Sequence, residues 1–148
     1  MACEFYHSPV GVLKIVSDGQ AIIEISVSEP AEAVGDLLTH KAVQQLKEYF
    51  EGRRKSFSLP VKPSGTEFQK KIWQTLTAIP YGEAISYGQV SELAGNANAC
   101  RAVGNAVGKN PVLILIPCHR VKAANGLGGF SAGIENKKIL VALEKINI

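Results

Sequence analysis

The stretch NPVLILIPCHRV (residues 110–121) holds the longest apolar run of the chain and, directly after it, a Cys-His-Arg triplet. The run from Val112 to Ile116 lies between two prolines and is typical of a buried strand. A thiol becomes a nucleophile when a neighbouring base or cation favours the thiolate, and Cys118 has both kinds of neighbour. We therefore expect Cys118 to be reactive. An inert buried cysteine at a strand end is the alternative that this stretch leaves open.

The position of His119 relative to the thiol bears on these alternatives. Successive side chains of an extended strand point to opposite faces, so His119 does not contact the Cys118 sulfur along a regular strand. The imidazole can assist only if the chain bends, or if a water molecule bridges the two groups. Pro117 and the end of the apolar run favour a bend at this point.

The first half of the chain predicts a small sheet and a helix. Alternating apolar residues on both sides of residues 17–20, which contain Asp-Gly, indicate strands joined by a tight hairpin. From about Thr39 to Glu51 apolar residues recur every three or four positions, which predicts a helix with Val43, Leu46 and Phe50 inward. The polar and basic residues 53–63 form a connector. We place an N-terminal domain at residues 1–62 and a second domain at residues 63–148.

The second domain is predicted to be mainly helical. Residues 64–67 (Ser-Gly-Thr-Glu) match a capping box that opens a helix with Phe68, Ile72 and Leu76 inward. Two short helices follow, one beginning at Ser86 or Tyr87 and one capped by Asn98, and their close spacing is that of a helix-turn-helix. In the second of them the residues expected to face the core are Ala102, Val103, Ala106 and Val107. The predicted fold class is α+β, with a small N-terminal antiparallel β-sheet and helix and a winged-helix-like C-terminal domain.

Composition narrows the classes of function. The net charge is +3, with one excess acidic residue in residues 1–65 and four excess basic residues in residues 66–148, which suits a phosphate backbone. No apolar run is long enough to cross a membrane, and the N-terminus does not resemble a secretory signal. We expect a cytoplasmic protein, nucleoid-associated when bound to DNA, or nuclear if the source is eukaryotic. The three cysteines form no disulfide or zinc pattern, so we expect no metal and no cofactor.

Several motifs of residues 63–147 occur in the order and spacing of one known family. LILIPCHRV closely resembles the active-site motif of the O6-alkylguanine-DNA alkyltransferases, also called methylated-DNA–protein-cysteine methyltransferases. The N-terminal part agrees with the family only in outline. The other matching segments are Ile79-Pro80-Tyr81-Gly82, Ser86-Tyr87, Leu93-Ala94-Gly95-Asn96, Arg101-Ala102-Val103-Gly104, Asn110-Pro111 and Gly128-Gly129-Phe130-Ser131.

The resemblance implies a set of catalytic roles. Cys118 is the acceptor that attacks the O6-alkyl carbon, and His119 acts through a water molecule as the base that keeps the sulfur anionic. Glu144 orients and balances that imidazole. A carboxylate near the C-terminal end of a helix from about Ile134 is disfavoured by the helix dipole, which suggests a compensating group. Tyr87 donates a proton or a hydrogen bond to the departing guanine.

The resemblance also implies substrate contacts. The main-chain carbonyls of Cys118 and Val121 accept hydrogen bonds from the exocyclic amine of guanine, Ser131 helps to hold O6, and Phe130 forms an apolar wall where many relatives have tyrosine. Asn110 ties the second helix of the helix-turn-helix to the active-site strand. Arg120 has two alternatives: it tunes the thiolate, or it forms a salt bridge to the N-terminal domain.

DNA contacts are implied on the second helix of the pair. Arg101 enters the duplex and fills the space left by an extruded nucleotide, because an alkylated O6 in a stacked duplex is out of reach of a buried thiol. The small residues Ala102, Gly104 and Asn105, with Tyr87 nearby, allow close approach to the minor groove. The same small residues also permit tight helix packing.

The resulting hypothesis is direct-reversal repair: one alkyl group moves from O6-alkylguanine in double-stranded DNA to Cys118, and the protein is consumed. We expect a monomer in the absence of DNA, and activity on O4-alkylthymine stays open. The alternatives are a cysteine hydrolase or redox protein that uses Cys118 and His119, a lesion-binding relative, which the presence of Cys118 opposes, and an alkylation-responsive regulator, for which 148 residues leave no room.

Overall fold

The computed structural model describes residues 1–123, 126 and 128–148, which form two compact units. The first unit comprises residues 1–64 and 111–115, and the second comprises residues 65–110 and 116–148. The predicted α+β class is confirmed. The elements are β1 (Ala2–Ser8), β2 (Gly11–Ser17), β3 (Ile22–Val27), α1 (Leu37–Phe50), α2 (Glu67–Thr77), β4 (Ile85–Ser86), α3 (Tyr87–Leu93), α4 (Cys100–Gly108), a 3-10 turn (Cys118–Arg120), β5 (Val121–Lys122) and α5 (Ile134–Ile146).

The predicted β-meander is present in the first unit. β1, β2 and β3 pair antiparallel in sequence order, and the hairpin between β2 and β3 turns at Gly19, whose φ is 94°. The Asp18 carboxylate accepts hydrogen bonds from the backbone N–H groups of Gln20 and Ala21, both at 2.9 Å. An Asp-Gly pair thus supplies both the positive φ and a side-chain acceptor for the turn.

Helix α1 buries a different stripe from the one predicted. Its N-cap Asp36 and Thr39 form a reciprocal capping box. The buried apolar side chains are Ala42, Leu46 and Tyr49, whereas Val43 and Phe50 are only half-buried. Ala42 and Tyr49 are thus buried in place of their next neighbours, Val43 and Phe50. The Tyr49 ring packs against Phe57 in the connector.

The apolar run of residues 112–116 is not a regular strand, so that prediction is wrong. Val112 makes a single parallel bridge to Ile25, through hydrogen bonds from Ile25 N to Pro111 O and from Leu113 N to Ile25 O, both 2.9 Å. The chain then turns at Ile114, which has a φ of 72°, and Leu115 N donates to Leu113 O at 2.8 Å. This is a γ-turn with positive φ, a rare conformation for a β-branched residue. The apolar composition of the run reflects its burial, but its backbone is not extended.

The second unit is mainly helical, as predicted, with three local corrections. The capping box of α2 joins Thr66 and Gln69 rather than Ser64 and Glu67, since the helix begins at Glu67. The N-cap of α4 is Ala99, without a side-chain hydrogen bond, so Asn98 is not the cap. Ala102 is exposed rather than inward, because the buried face of α4 consists of Val103, Ala106 and Val107.

Two contacts in this unit position the site described below. The Trp73 indole N–H of α2 donates to the Ala106 carbonyl of α4 at 2.8 Å, which joins the two helices through a buried hydrogen bond. The short strands β4 and β5 pair in parallel, with Ile85 opposite Val121 and Ser86 opposite Lys122. Because Ser86 caps α3, this pairing sets the first residue of α3, Tyr87, beside the Cys-His-Arg turn. Among the described residues no helix is long and apolar enough to cross a membrane.

Candidate active site

The chain bends at Pro117, as the sequence predicts. Pro117 has φ −81° and ψ 64°, and Cys118 N donates to Ile116 O at 2.8 Å. These values describe an inverse γ-turn, and the 3-10 turn Cys118–Arg120 follows directly. The consecutive residues Cys118, His119 and Arg120 are all buried within the second unit. The bend removes the geometric objection that a regular strand raises against cooperation between Cys118 and His119.

The Cys118 thiol lies at a small pocket of about 180 Å³. Burial raises the pKa of the thiol to about 11, although a hydrogen bond from Asn110 and the positive charge of Lys137 act in the opposite direction. The thiol is therefore protonated at neutral pH, and a nucleophilic reaction needs a base to take its proton. The pocket is lined by Tyr87, Gly104, Val107, Gly108, Cys118, Gly129, Phe130 and Ser131.

His119 is oriented by Glu144 of α5. Its Nε2 lies 2.5 Å from Glu144 Oε2, and both side chains are almost completely buried. An ionised carboxylate only accepts hydrogen bonds, so Nε2 carries the proton and donates. In the neutral ring Nδ1 then has a free lone pair, and among the described residues it has no hydrogen-bond partner. Nδ1 is thus the basic nitrogen of this site.

The imidazole is held in its neutral form. Burial lowers the pKa of His119, and the charges of Arg120 and Lys137 lower it further, whereas the hydrogen bond and charge of Glu144 raise it. Burial is the largest of these effects. Near neutral pH His119 is therefore available as a base rather than already protonated.

Arg120 forms its salt bridge with Glu144, in the same unit, and not with the N-terminal domain. Its Nε donates to Glu144 Oε1 at 2.8 Å and its Nη2 to Oε2 at 3.1 Å, while Nη1 donates to the Ile79 carbonyl at 2.7 Å. The backbone N–H of Gly82 also donates to Oε1, at 3.0 Å. Arg120 is thus the compensating group that the helix position of Glu144 suggests.

Lys137 belongs to the site and was missed by the sequence reasoning. It is 1% exposed, and its Nζ donates to the carbonyls of Val121 at 2.6 Å and Gly129 at 3.1 Å. The signal that could have found it is its position on α5. Lys137 lies three residues before Leu140 and seven before Glu144, so it lies on the buried face of the helix.

The predicted substrate residues fall into two groups. Tyr87, Phe130 and Ser131 line the Cys118 pocket, and burial together with the charge of Cys118 raises the pKa of the Tyr87 hydroxyl. The Val121 side chain instead lines a separate cavity that contains His119 and Lys137. Asn110 is buried, and its amide donates to the Ile116 carbonyl at 2.7 Å, which links the end of α4 to the residue before Pro117.

Four of the five predicted DNA-binding residues lie on α4, and the fifth, Tyr87, is the first residue of α3. Arg101, Ala102 and Asn105 are exposed, and Gly104 faces the Cys118 pocket, where its nearest side chain is Tyr87. Arg101 is the second residue of α4, which begins at Cys100. The exposed face of α4 thus leads from Arg101 to the mouth of the pocket. Among the described residues no group of three His, Cys, Asp or Glu side chains is arranged to hold a metal ion.

Comparison with known families agrees with this geometry. The family model for the DNA-binding domain of 6-O-methylguanine DNA methyltransferase matches residues 67–146, and the model for the ribonuclease-like domain of the same proteins matches residues 1–63. The chain belongs to this family. It is a methylated-DNA–protein-cysteine methyltransferase that acts in direct-reversal DNA repair, and DNA is its partner.

Relatives of this alkyltransferase match over nearly its whole length. Methylated-DNA–protein-cysteine methyltransferases are 43% identical in Haemophilus influenzae (96% of this chain, 85% of the relative) and 37% identical in Methanosarcina acetivorans (94% and 95%). Among solved structures, the Mycobacterium tuberculosis protein in complex with DNA is 37% identical with a TM-score of 0.91, over 99% of this chain and 94% of that one.

Proposed function

We propose that this protein removes the alkyl group from O6-alkylguanine in double-stranded DNA and keeps it as a thioether on Cys118. The observation that carries the proposal is a buried thiol in a pocket, followed in the chain by a neutral imidazole that Glu144 orients. The other two cysteines are less buried than Cys118. Cys3 lies in β1, and Cys100 is exposed at the start of α4.

The reaction is an in-line displacement. The thiol proton passes through a water molecule to Nδ1 of His119, whose Nε2 stays hydrogen-bonded to Glu144. The sulfur forms a bond to the alkyl carbon as the bond between that carbon and O6 breaks. The electron pair of the broken bond goes to the guanine. Tyr87 donates a proton or a hydrogen bond to the departing base. A thioether has no route back to the thiol here, so each molecule reacts once.

Base selection and DNA binding complete the proposal. The carbonyls of Cys118 and Val121 accept from the exocyclic amine of guanine, with Ser131 near O6 and Phe130 as an apolar wall. The exposed position of Arg101 on α4 supports its insertion into the duplex in place of the extruded nucleotide. We expect the protein to be a monomer in the absence of DNA, and to be cytoplasmic and nucleoid-associated when bound to DNA, or nuclear if the source is eukaryotic.

The test is intact-mass measurement and peptide mapping after incubation with a duplex that contains one O6-methylguanine. We expect a gain of one methylene on the peptide with Cys118, an equal amount of restored guanine, and no second turnover. Cys118→Ser should abolish the transfer. The matched control is Cys100→Ser, which removes an exposed cysteine and should transfer normally. Methylation of another residue, or release of more than one product per protein, contradicts the proposal.

A further inference from the structure

The carboxylate of Glu144 lies between two cationic or potentially cationic side chains. Oε2 is 2.5 Å from His119 Nε2 and 3.1 Å from Arg120 Nη2, and Oε1 accepts from Arg120 Nε at 2.8 Å. Arg120 is 8% exposed and Glu144 is 2% exposed, so water screens these charges little. We propose that Arg120 is a positioning residue that keeps Glu144 paired, so that His119 stays neutral and free to accept the thiol proton.

The charge balance of the cluster supports this role. With His119 neutral, the negative charge of Glu144 is matched by the permanent positive charge of Arg120. When the thiol proton reaches His119, the new imidazolium is matched by the thiolate, so the transfer leaves the net charge of the site unchanged. Without Arg120, the buried carboxylate would lose the cation that contacts both of its oxygens, and a proton on His119 would offset part of that loss.

The other groups around His119 do not replace Arg120. Lys137 donates to the carbonyls of Val121 and Gly129. The charge of Arg120 lowers the pKa of His119, opposite to the effect of Glu144. Among the described residues, the titratable or charged groups that face His119 or the cavities it lines are Arg120, Glu144, Lys137, Glu83, Lys122 and Lys145. Tyr81 lies against Arg120, and Cys118 precedes His119 in the chain.

Arg120 also has a structural contribution, which the test must separate. Its Nη1 donates to the Ile79 carbonyl at 2.7 Å, and its Cζ lies 5.6 Å from the centroid of the Tyr81 ring. Both contacts hold the turn between α2 and β4. A purely structural arginine would affect stability and rate, but it would not move the pH at which His119 takes up a proton.

The inference rests on the proposed function and is tested with Arg120→Met, which removes the charge, and Arg120→Gln, which removes the charge but keeps hydrogen-bond donors. The pH dependence of methyl transfer to Cys118 is measured in single turnover, and the His119 titration is followed by NMR. We expect the acid limb of the rate and the His119 titration to move to higher pH by about one unit. At a pH below that limb, the fraction of neutral imidazole in the variant, and hence its rate, is about tenfold lower than in the wild type.

Two control variants and one double variant complete the experiment. Trp73→Phe removes a buried hydrogen bond in the same unit without changing charge, and it should lower stability with the acid limb unchanged. Arg120→Lys keeps the charge and should keep the limb near its wild-type position. In Arg120→Met with Glu144→Gln, both charges are absent, and we expect the limb to return towards wild type.

The outcomes separate this inference from the proposed function. If the wild-type protein is not methylated at Cys118, the proposed function fails. If the wild type is methylated but Arg120→Gln titrates His119 at the wild-type pH, only the role of Arg120 is overturned. Arg120→Gln decides the question if Arg120→Met does not fold, since its side-chain amide keeps two N–H donors.

Discussion

At the scale of single residues, Lys137 shows how a buried cation can serve a thiol. Burial lowers the pKa of its amine, and the charge of Cys118 raises it. The Lys137 ammonium in turn lowers the pKa of the thiol. The same amine holds the Val121 carbonyl, which we propose as an acceptor for guanine, at 2.6 Å. The Lys137 side chain can therefore affect both the Cys118 thiolate and the Val121 carbonyl that we propose to bind guanine.

Lys137→Met should raise the pKa of the Cys118 thiol, because it removes a nearby positive charge while keeping a similar volume. We expect methyl transfer at neutral pH to slow about tenfold for each unit of that rise. Iodoacetamide labelling of Cys118 across pH measures the thiol pKa without DNA. Lys138→Met is the matched control, since Lys138 is exposed on the same helix and pairs with Glu135. An unchanged labelling profile in Lys137→Met would rule out the electrostatic effect.

At the scale of elements, two turns replace the strand that the apolar run predicts. The γ-turns at Ile114 and Pro117 lie three residues apart, and the second one brings Cys118 into the 3-10 turn. The parallel pair β4–β5 then places Tyr87 near the same turn. The site thus depends on the two γ-turns and the 3-10 turn, together with the short paired strands β4 and β5.

Helix α4 should contribute to reaction with duplex DNA through Arg101 rather than to the chemistry at Cys118. We expect Arg101→Ala to slow methyl transfer from a duplex substantially, because extrusion of the base costs a few kcal/mol. Reaction with free O6-methylguanine base should be unchanged. Lys109→Ala, at the other end of α4, is the control cation and should affect both reactions little. Equal loss with duplex and free base would contradict a role in base extrusion.

At the scale of the whole molecule, a buried neutral histidine makes stability depend on pH. In the unfolded chain His119 titrates near 6.5, and in the folded chain its pKa is lower. Between these two values the unfolded state binds more protons. The contribution of neutral His119 to the unfolding free energy is therefore fully present above about pH 6.5. It is lost as the pH falls towards the pKa of His119 in the folded protein.

Urea unfolding followed by Trp73 fluorescence measures this effect in the unit that contains His119, since Trp73 is the only tryptophan of the sequence. We expect the unfolding free energy to fall as the pH is lowered below about 6.5. His119→Gln should reduce that slope, because glutamine takes up no proton, while His7 and His40 remain as common background. The same slope in both proteins would contradict the buried neutral state of His119.

Local patterns predicted much of the fold. The Asp-Gly hairpin, the meander, the helix pair and the bend at Pro117 depend on residues close together in the sequence, and they were confirmed. Two local predictions failed, the capping residues of α2 and of α4. The other predictions that failed concern tertiary contacts: the side chains that α1 buries, the exposure of Ala102, and the backbone of residues 112–116. The motif identified Cys118, His119 and Glu144 as candidates, and their roles stay proposals.

The sequence by itself determined the class of the protein and the residues of its reactive motif, because turn chemistry, periodicity and a contiguous Cys-His-Arg segment are local properties. Only the tertiary structure decided the electrostatics of the site. Arg120 pairs with Glu144, 24 positions away, and Lys137 reaches Val121, 16 positions away. These distances along the chain carry no local signal, and it is burial in a shared low-dielectric interior that makes the charges act on the thiol and the imidazole.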